Sequence, residues 1–316
     1  MKNNTIRIAT MLALGTALIS GVSVFINKFA VTVMKDPVFF TMMKNSLVAI
    51  AFIGIILLFK KRKEILSLSK SQYLKLFLIG IIGGALPFIL FFVGLSHTSA
   101  INGAMIHKTL FLWVAILAIP FLKERMVWQQ WLGIALVFAG NLFIGGFNGF
   151  TFNIGEIMIL AATILWAVEN IIAKKVLADV SSITVGASRM IIGSVLLIIY
   201  TSFSSGLGPI LSLTSVQWGW VIISGALLTA YVLTWYSALA RAPAIYVATL
   251  LVPATLITNL LSAIFITHTI TSQNIASALL YITGAFLLIF FAKRTADNMK
   301  SNLINENETF HHENAL

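Results

Sequence analysis

Five charged side chains interrupt long apolar runs of this sequence: Lys28, Lys44, Lys108, Glu169 and Arg189. If those runs cross a bilayer, each charge costs about 2.5–3.5 kcal/mol at mid-depth unless it finds water or a partner. Lys28, Lys44 and Arg189 lie toward the ends of their runs, where a long apolar stem can carry the head to the interface. Lys44 and Arg189 are expected as gating or structural charges. Lys108 is eight residues into its run and beside His107. It must face water or a partner. Lysine serves carboxylate and phosphate oxygens as a point charge, so Lys108, with Lys28, points to a small anionic or zwitterionic ligand. His107 is suited to proton exchange near neutral pH. Glu169 is the one acid well inside a run; it serves either as a coupling site or as the counter-ion of Lys28 or Lys108. With no cysteine there is no disulfide, thiolate metal site or cysteine nucleophile.

Helical spacing adds uncharged groups. Thr16, Ser20, Ser23 and Asn27 form a stripe, as do Trp166, Glu169, Asn170 and Ala173, and Thr255, Asn259 and Ser262. Such stripes glue helices or line a lumen; their recurrence in three helices favours a water-filled cavity. Pro253 lacks an N–H, which should free the carbonyl of Thr249 and interrupt its helix. An offset of 144 aligns Thr109 with Pro253, so His107-Lys108-Thr109 and Pro253 occupy matching mid-span places. Substrate sites of secondary transporters lie at such interruptions. Trp113, Trp166, Tyr231, Trp235 and Tyr246 offer an alternative, an aromatic cage for a cationic drug, though the basic residues would repel its ligand.

The elements that position these groups follow from composition. Of 316 residues, 59% are hydrophobic and 10% charged, against roughly 45–50% and about 25% in soluble domains. A crossing helix needs roughly 20 apolar residues. Ten spans are predicted near Ile6–Met34, Val38–Phe59, Tyr73–Leu95, Ala100–Phe121, Trp128–Phe147, Ile154–Ala173, Ile183–Phe203, Trp218–Leu239, Ala244–Ile266 and Ile275–Phe291. Alternation then puts 16 of the 21 Lys and Arg on the side of both termini and one, Lys35, on the other. The positive-inside bias makes the basic side cytoplasmic, in a cell membrane.

The halves echo each other. Asn27-Lys28-Phe29-Ala30 matches Asn170-Ile171-Ile172-Ala173, Lys44 matches Arg189, and the offset of 144 carries Leu95 to Leu239, Ala100 to Ala244 and Gly140 to Gly284. A duplicated five-span unit must be inverted relative to its copy. The chain resembles the EamA-type family of the drug/metabolite transporter superfamily. The resemblance rests on the basic residue early in each second helix (Lys44, Arg189), the small-residue turn before each fourth helix, Glu124-Arg125 after one of them and Pro253 within the other. It departs at His107-Lys108-Thr109. It implies an all-α membrane protein of two inverted five-helix repeats, residues 1–147 and 148–292, and transport of a small-molecule substrate. Residues 293–316 are expected to be a disordered cytoplasmic tail. The fifth and tenth helices, poor in polar groups, are expected to face lipid or a second copy. Gly80 with Gly84, and Gly145 with Gly149, are spaced for close helix approach.

Other classes fit less well. No H-E-x-x-H, G-x-S-x-G or intramembrane aspartate pair supports an enzyme, and no ring of charges or carbonyls supports a channel. Nothing resembles a nucleotide phosphate loop, so no cofactor is expected and transport would draw on a proton, ion or exchange gradient. A receptor without flux stays as a remote alternative. The basic residues are scattered among short loops, which speaks against nucleic acid.

Overall fold

The computed structural model describes residues 2–98, 100–142, 149–204, 206–268, 272–273, 275–291 and 294. The expected tail, residues 293–316, lies outside them apart from residue 294. Among the described residues there is helix and no strand. The helices are α1 (Lys2–Met34), α2 (Pro37–Leu58), α3 (Arg62–Leu66), α4 (Lys70–Gly84), α5 (Leu86–Leu95), α6 (Ala100–His107), α7 (Leu110–Leu122), α8 (Trp128–Leu142), α9 (Ile154–Val176), α10 (Ser182–Ser204), α11 (Ser215–Leu239), α12 (Ala244–Thr249) and α13 (Pro253–Ser262). A π-helical turn, Ala263–Thr267, continues α13, and α14 is Ile275–Phe291. Local chemistry sets the ends. The Asp36 carboxylate accepts from the N–H groups of Val38 and Phe39, with Pro37 opening α2. Ser69–Gln72 and Thr214–Gln217 form capping boxes that start α4 and α11.

Eight segments are long and apolar enough to cross a membrane: Asn4–Met34, Pro37–Leu58, Lys70–Leu95, Asn102–Leu122, Ile154–Val176, Ser182–Ser204, Ser215–Leu239 and Ala244–Ile266. They coincide with eight of the ten expected spans. The other two fall on shorter helices, α8 with 15 residues and α14; residues 143–148 of the expected fifth span are outside the described set. These two pack antiparallel. A Cβ on Gly133 would stand 2.8 Å from Leu288, and one on Gly140 3.0 Å from Tyr281. Their outer faces, including Trp128, Phe138, Ile282 and Phe286, stay exposed. The Gly80–Gly84 pair does serve close approach, with Gly84 against Gly193 of α10. Gly149 instead takes a positive φ of 97° in open space, and Gly145 is outside the described residues.

Packing runs between the halves. Helix α1 lies on α11 and α13, while α9 lies on α4, α5, α6 and α7. Helix α2 lies on α10 and α11, while α10 lies also on α4, and α7 lies on α12. Exchanging the first five predicted spans for the last five leaves this set of pairings unchanged. The connections sort to two ends. At one end, Glu64 accepts from the N–H of Ser181 at 2.7 Å, Lys174 reaches the carbonyls of Leu239 and Ala242, and Lys175 stands over Phe121 at 5.7 Å. This end carries the Lys60–Lys63 cluster, and is called the basic end below. At the other end, Asn102 donates to Gly149 and Glu156, and Gln217 donates to Val33.

Candidate functional site

The segment expected to be interrupted at Pro253 is interrupted, and so is the aligned segment of the first half, at Lys108 and Thr109, where polar side chains and not a break were expected. Helix α6 stops at His107 and α7 starts at Leu110; α12 stops at Thr249 and α13 starts at Pro253. Pro253 cannot donate to the carbonyl four residues back. That carbonyl, of Thr249, is nonetheless not free as expected: the N–H of Val252 takes it at 3.2 Å in a tighter turn. At the other break Thr109 spends its hydroxyl locally, donating to Ile106 O at 2.6 Å and accepting from Trp113 Nε1 at 3.0 Å.

The first break brings His107 against Trp166 of α9, ring centroids 4.9 Å apart, with Phe91 5.2 Å from the imidazole. Phe88 closes on the same indole at 5.2 Å. His107 Nδ1 is buried with no hydrogen-bond partner, and Lys108 beside it is half-buried. A lysine and an imidazole thus sit together at the break between α6 and α7, with aromatic rings against the imidazole.

A third interruption, unexpected, explains the neighbouring cluster. Helices α4 and α5 break at Ala85, and Pro87 lacks the N–H that would return to the carbonyl of Gly83. That carbonyl accepts instead from Trp166 Nε1 at 3.1 Å and Arg189 Nε at 3.2 Å. Glu169, one turn from Trp166 and fully buried, accepts from Tyr236 Oη at 2.5 Å and lies 3.9 Å from Arg189 Nη1. Arg189 Nη1 also donates to Tyr236 at 3.3 Å. Gly83 has no room for a side chain: a Cβ would stand 2.5 Å from Glu169 Cγ. Asn170 accepts from Trp235 Nε1 at 2.9 Å and donates to Trp166 O at 2.8 Å; Tyr231 stacks on Trp235.

The counter-ion of Glu169 is therefore Arg189, not Lys28 or Lys108 as expected. Lys28 is exposed, and Asn27 donates to Ser23 at 3.3 Å. Lys44 is buried, its ammonium 5.3 Å from the Phe40 ring. Asn259 on α13 is half-buried, while its neighbour Thr258 binds the Gly21 carbonyl of α1. Thr16 donates to Thr234, so that part of the first stripe is helix glue. The cage residues disperse: Tyr246 pairs with Thr10, and Trp113 stays with Thr109. Gly83, Pro87 and Tyr236 were missed. Pro87 was as visible in the sequence as Pro253, and counting back four residues from it identifies Gly83.

At the basic end, Glu124 is buried and its two carboxylate oxygens accept from the N–H groups of Ala244 and Ile245 at 2.6 and 2.8 Å. Lys174 Nζ donates to the carbonyls of Leu239 and Ala242, 2.7 Å each. Among the described residues no cluster of three or more His, Cys, Asp and Glu could hold a metal ion.

Comparison with known proteins places this arrangement. The model of the EamA-like transporter family matches residues 7–146 and again 153–290. The uncharacterized transporter YyaM of Bacillus subtilis is 33% identical over 165 residues, 50% of this chain and 53% of that protein. An uncharacterized transporter of Archaeoglobus fulgidus is 23% identical over 217 residues, 68% of this chain and 77% of that one. The chain thus spans about half the length of YyaM. A solved crystal structure superposes with a TM-score of 0.75 over 90% of this chain and 98% of that one, at 17% identity. That likeness concerns the fold.

Proposed function

Because the chain belongs to the EamA-like transporter family, we propose that it is a secondary transporter that exports a small anionic or zwitterionic metabolite, such as an amino acid, by alternating access. Ten crossings in two inverted repeats carry the reading, with both termini on the cytoplasmic face of the cell membrane. The exchange of pairings between halves and the sorting of connections to two ends support it. The observation that carries the substrate class is the pair of aligned breaks, 108–109 and 250–252, with Lys108 half-buried and His107 Nδ1 unpartnered at one of them. A half-buried lysine supplies the charge for an oxyanion, and the indole of Trp166 and the rings of Phe88 and Phe91 supply an apolar wall. Lys28 and Asn27 extend the positive and polar surface, Asn170 and Asn259 line the path, and Pro253 keeps its helix divided. His107 is the proton-exchanging group, whereas Glu169 with Arg189 holds the scaffold. Lys44 is a structural charge. The exposed outer faces of α8 and α14 meet lipid or a second copy of the chain.

Counterflow in proteoliposomes against a panel of amino acids and organic acids tests this. Wild type should exchange at least one of them saturably, and Lys108→Ala should reduce that exchange tenfold or more. Undiminished exchange of every substrate by Lys108→Ala would reject the anionic site; exchange confined to organic cations would favour the cationic alternative.

A further inference from the structure

The two breaks divide the molecule unequally. All six residues of α12 are buried, and α12 packs on α7. Helix α13 has no fully buried residue and packs on α1 and on the π-helical turn after it. Helix α6 packs on α9 and α5. The largest hydrophobic core follows the same division. It runs through Ile6–Ala13, Val48–Phe52, Leu76–Ile79, Val114–Ala118, Ala167–Val180, Val185–Met190 and Val232–Leu250, which are the basic-end halves of their helices. The largest core thus closes the basic end, whereas at the other end, among the described residues, α6 and α13 pack on α9 and α1 and not on each other.

The turn that joins α11 to α12 is held in the shut half from two sides. Its carbonyls at Leu239 and Ala242 are taken by the Lys174 ammonium, and its N–H groups at Ala244 and Ile245 by the Glu124 carboxylate. Glu124 leaves the chain just after α7, Lys174 ends α9, and the turn belongs to neither. Charged partners make these the stronger kind of hydrogen bond, and buried polar groups that lose them are left unsatisfied. Moving α12 off α7 breaks the two Glu124 bonds, and moving the turn off α9 breaks the two of Lys174; a turn that leaves α7 and α9 together loses all four.

We propose that Glu124 and Lys174 form a latch that locks the basic end, and that releasing it is the step that opens the site toward that end. The proposal rests on the transporter reading for its purpose but not for its test. The chain has no cysteine, so single cysteines can be placed without other changes. Ala118→Cys, at 0% exposure within the shut core, reports water entering from the basic end. Asn259→Cys on α13, half-buried in the half away from that core, reports the opposite end. Each is introduced into the purified full chain in nanodiscs and treated with a water-soluble maleimide. With the latch intact, position 259 should label and position 118 should not. Glu124→Ala or Lys174→Met should raise the rate at 118 tenfold or more and lower the rate at 259; Glu124→Gln, which keeps one acceptor oxygen, should lie between. Unchanged rates at 118 overturn the latch. Faster labelling at both positions overturns it too, because that is general loosening and not a switch. Labelling needs no substrate, so a switch seen by labelling, with no counterflow from the unsubstituted chain, sinks the transport reading and leaves the latch standing.

Discussion

Arg189→Met keeps a long apolar stem in α10 and removes the guanidinium that faces Glu169. In the native chain that carboxylate is fully buried, with Tyr236 on one oxygen and Arg189 3.9 Å from the other. Removing one partner of a buried ion pair costs about 3–5 kcal/mol, because the other charge is left uncompensated. The cost of a lone charge at mid-bilayer, about 2.5–3.5 kcal/mol, agrees in size. The lost bond from Arg189 Nε to Gly83 O adds about 1 kcal/mol, although Trp166 still satisfies that carbonyl. The single variant should therefore lose about 4–6 kcal/mol, most of it through Glu169. Adding Glu169→Gln removes the stranded charge, and the double variant should lose only about 1–2 kcal/mol, the worth of the hydrogen bonds. Unfolding by SDS in mixed micelles, followed by tryptophan fluorescence, measures both. A loss under about 1 kcal/mol for Arg189→Met, or a double variant no more stable than the single, would refute the assignment of Arg189 as the compensating charge.

Gly84→Ala would put a Cβ 2.2 Å from the carbonyl oxygen of Arg189 and 2.8 Å from Gly193 Cα. Backbone cannot yield as a side chain can, so α4 and α10 should part at a cost of about 1–3 kcal/mol, seen in the same unfolding assay. Glu64 is held below the ordinary carboxyl value of 4.5: burial pushes it up, but bonds from Lys61 and from Ser181 outweigh that. A depressed folded value means the tie between the two loops stabilises above the ordinary value and is lost as pH falls through the depressed one. Glu64→Gln should therefore cost about 0.5–1 kcal/mol at pH 7, and the gap to wild type should close below pH 4.5, read from thermal unfolding across pH.

Eight of the crossing segments were legible because hydropathy alone marks them. So was the break at Pro253, since proline chemistry locates it; the offset marked the matching place at Thr109 without predicting that the helix stops there. Contacts between helices far apart in sequence were not. Glu169 was visible as a buried acid, but choosing among Lys28, Lys108 and Arg189 as its partner requires knowing how α9 and α10 face each other, and no single-helix periodicity contains that. Hydroxyl stripes misled for a related reason: Thr16 pairs with Thr234 and Thr10 with Tyr246, the glue and lumen readings being indistinguishable until the neighbouring helix is in place. The Glu124 and Lys174 contacts were hidden because their partners are backbone groups, which every sequence has.

The carbonyl of Gly83 ties four positions into one inheritance. A descendant that exchanged Pro87 for another residue would regain an amide hydrogen aimed at that oxygen, in competition with the indole of Trp166 and the guanidinium of Arg189. One that enlarged Gly83 would dislodge Glu169. Substitutions at 83, 87, 166 and 189 should accordingly arise together in diverging lineages, even though residues 83 and 189 are separated by more than a hundred places along the chain.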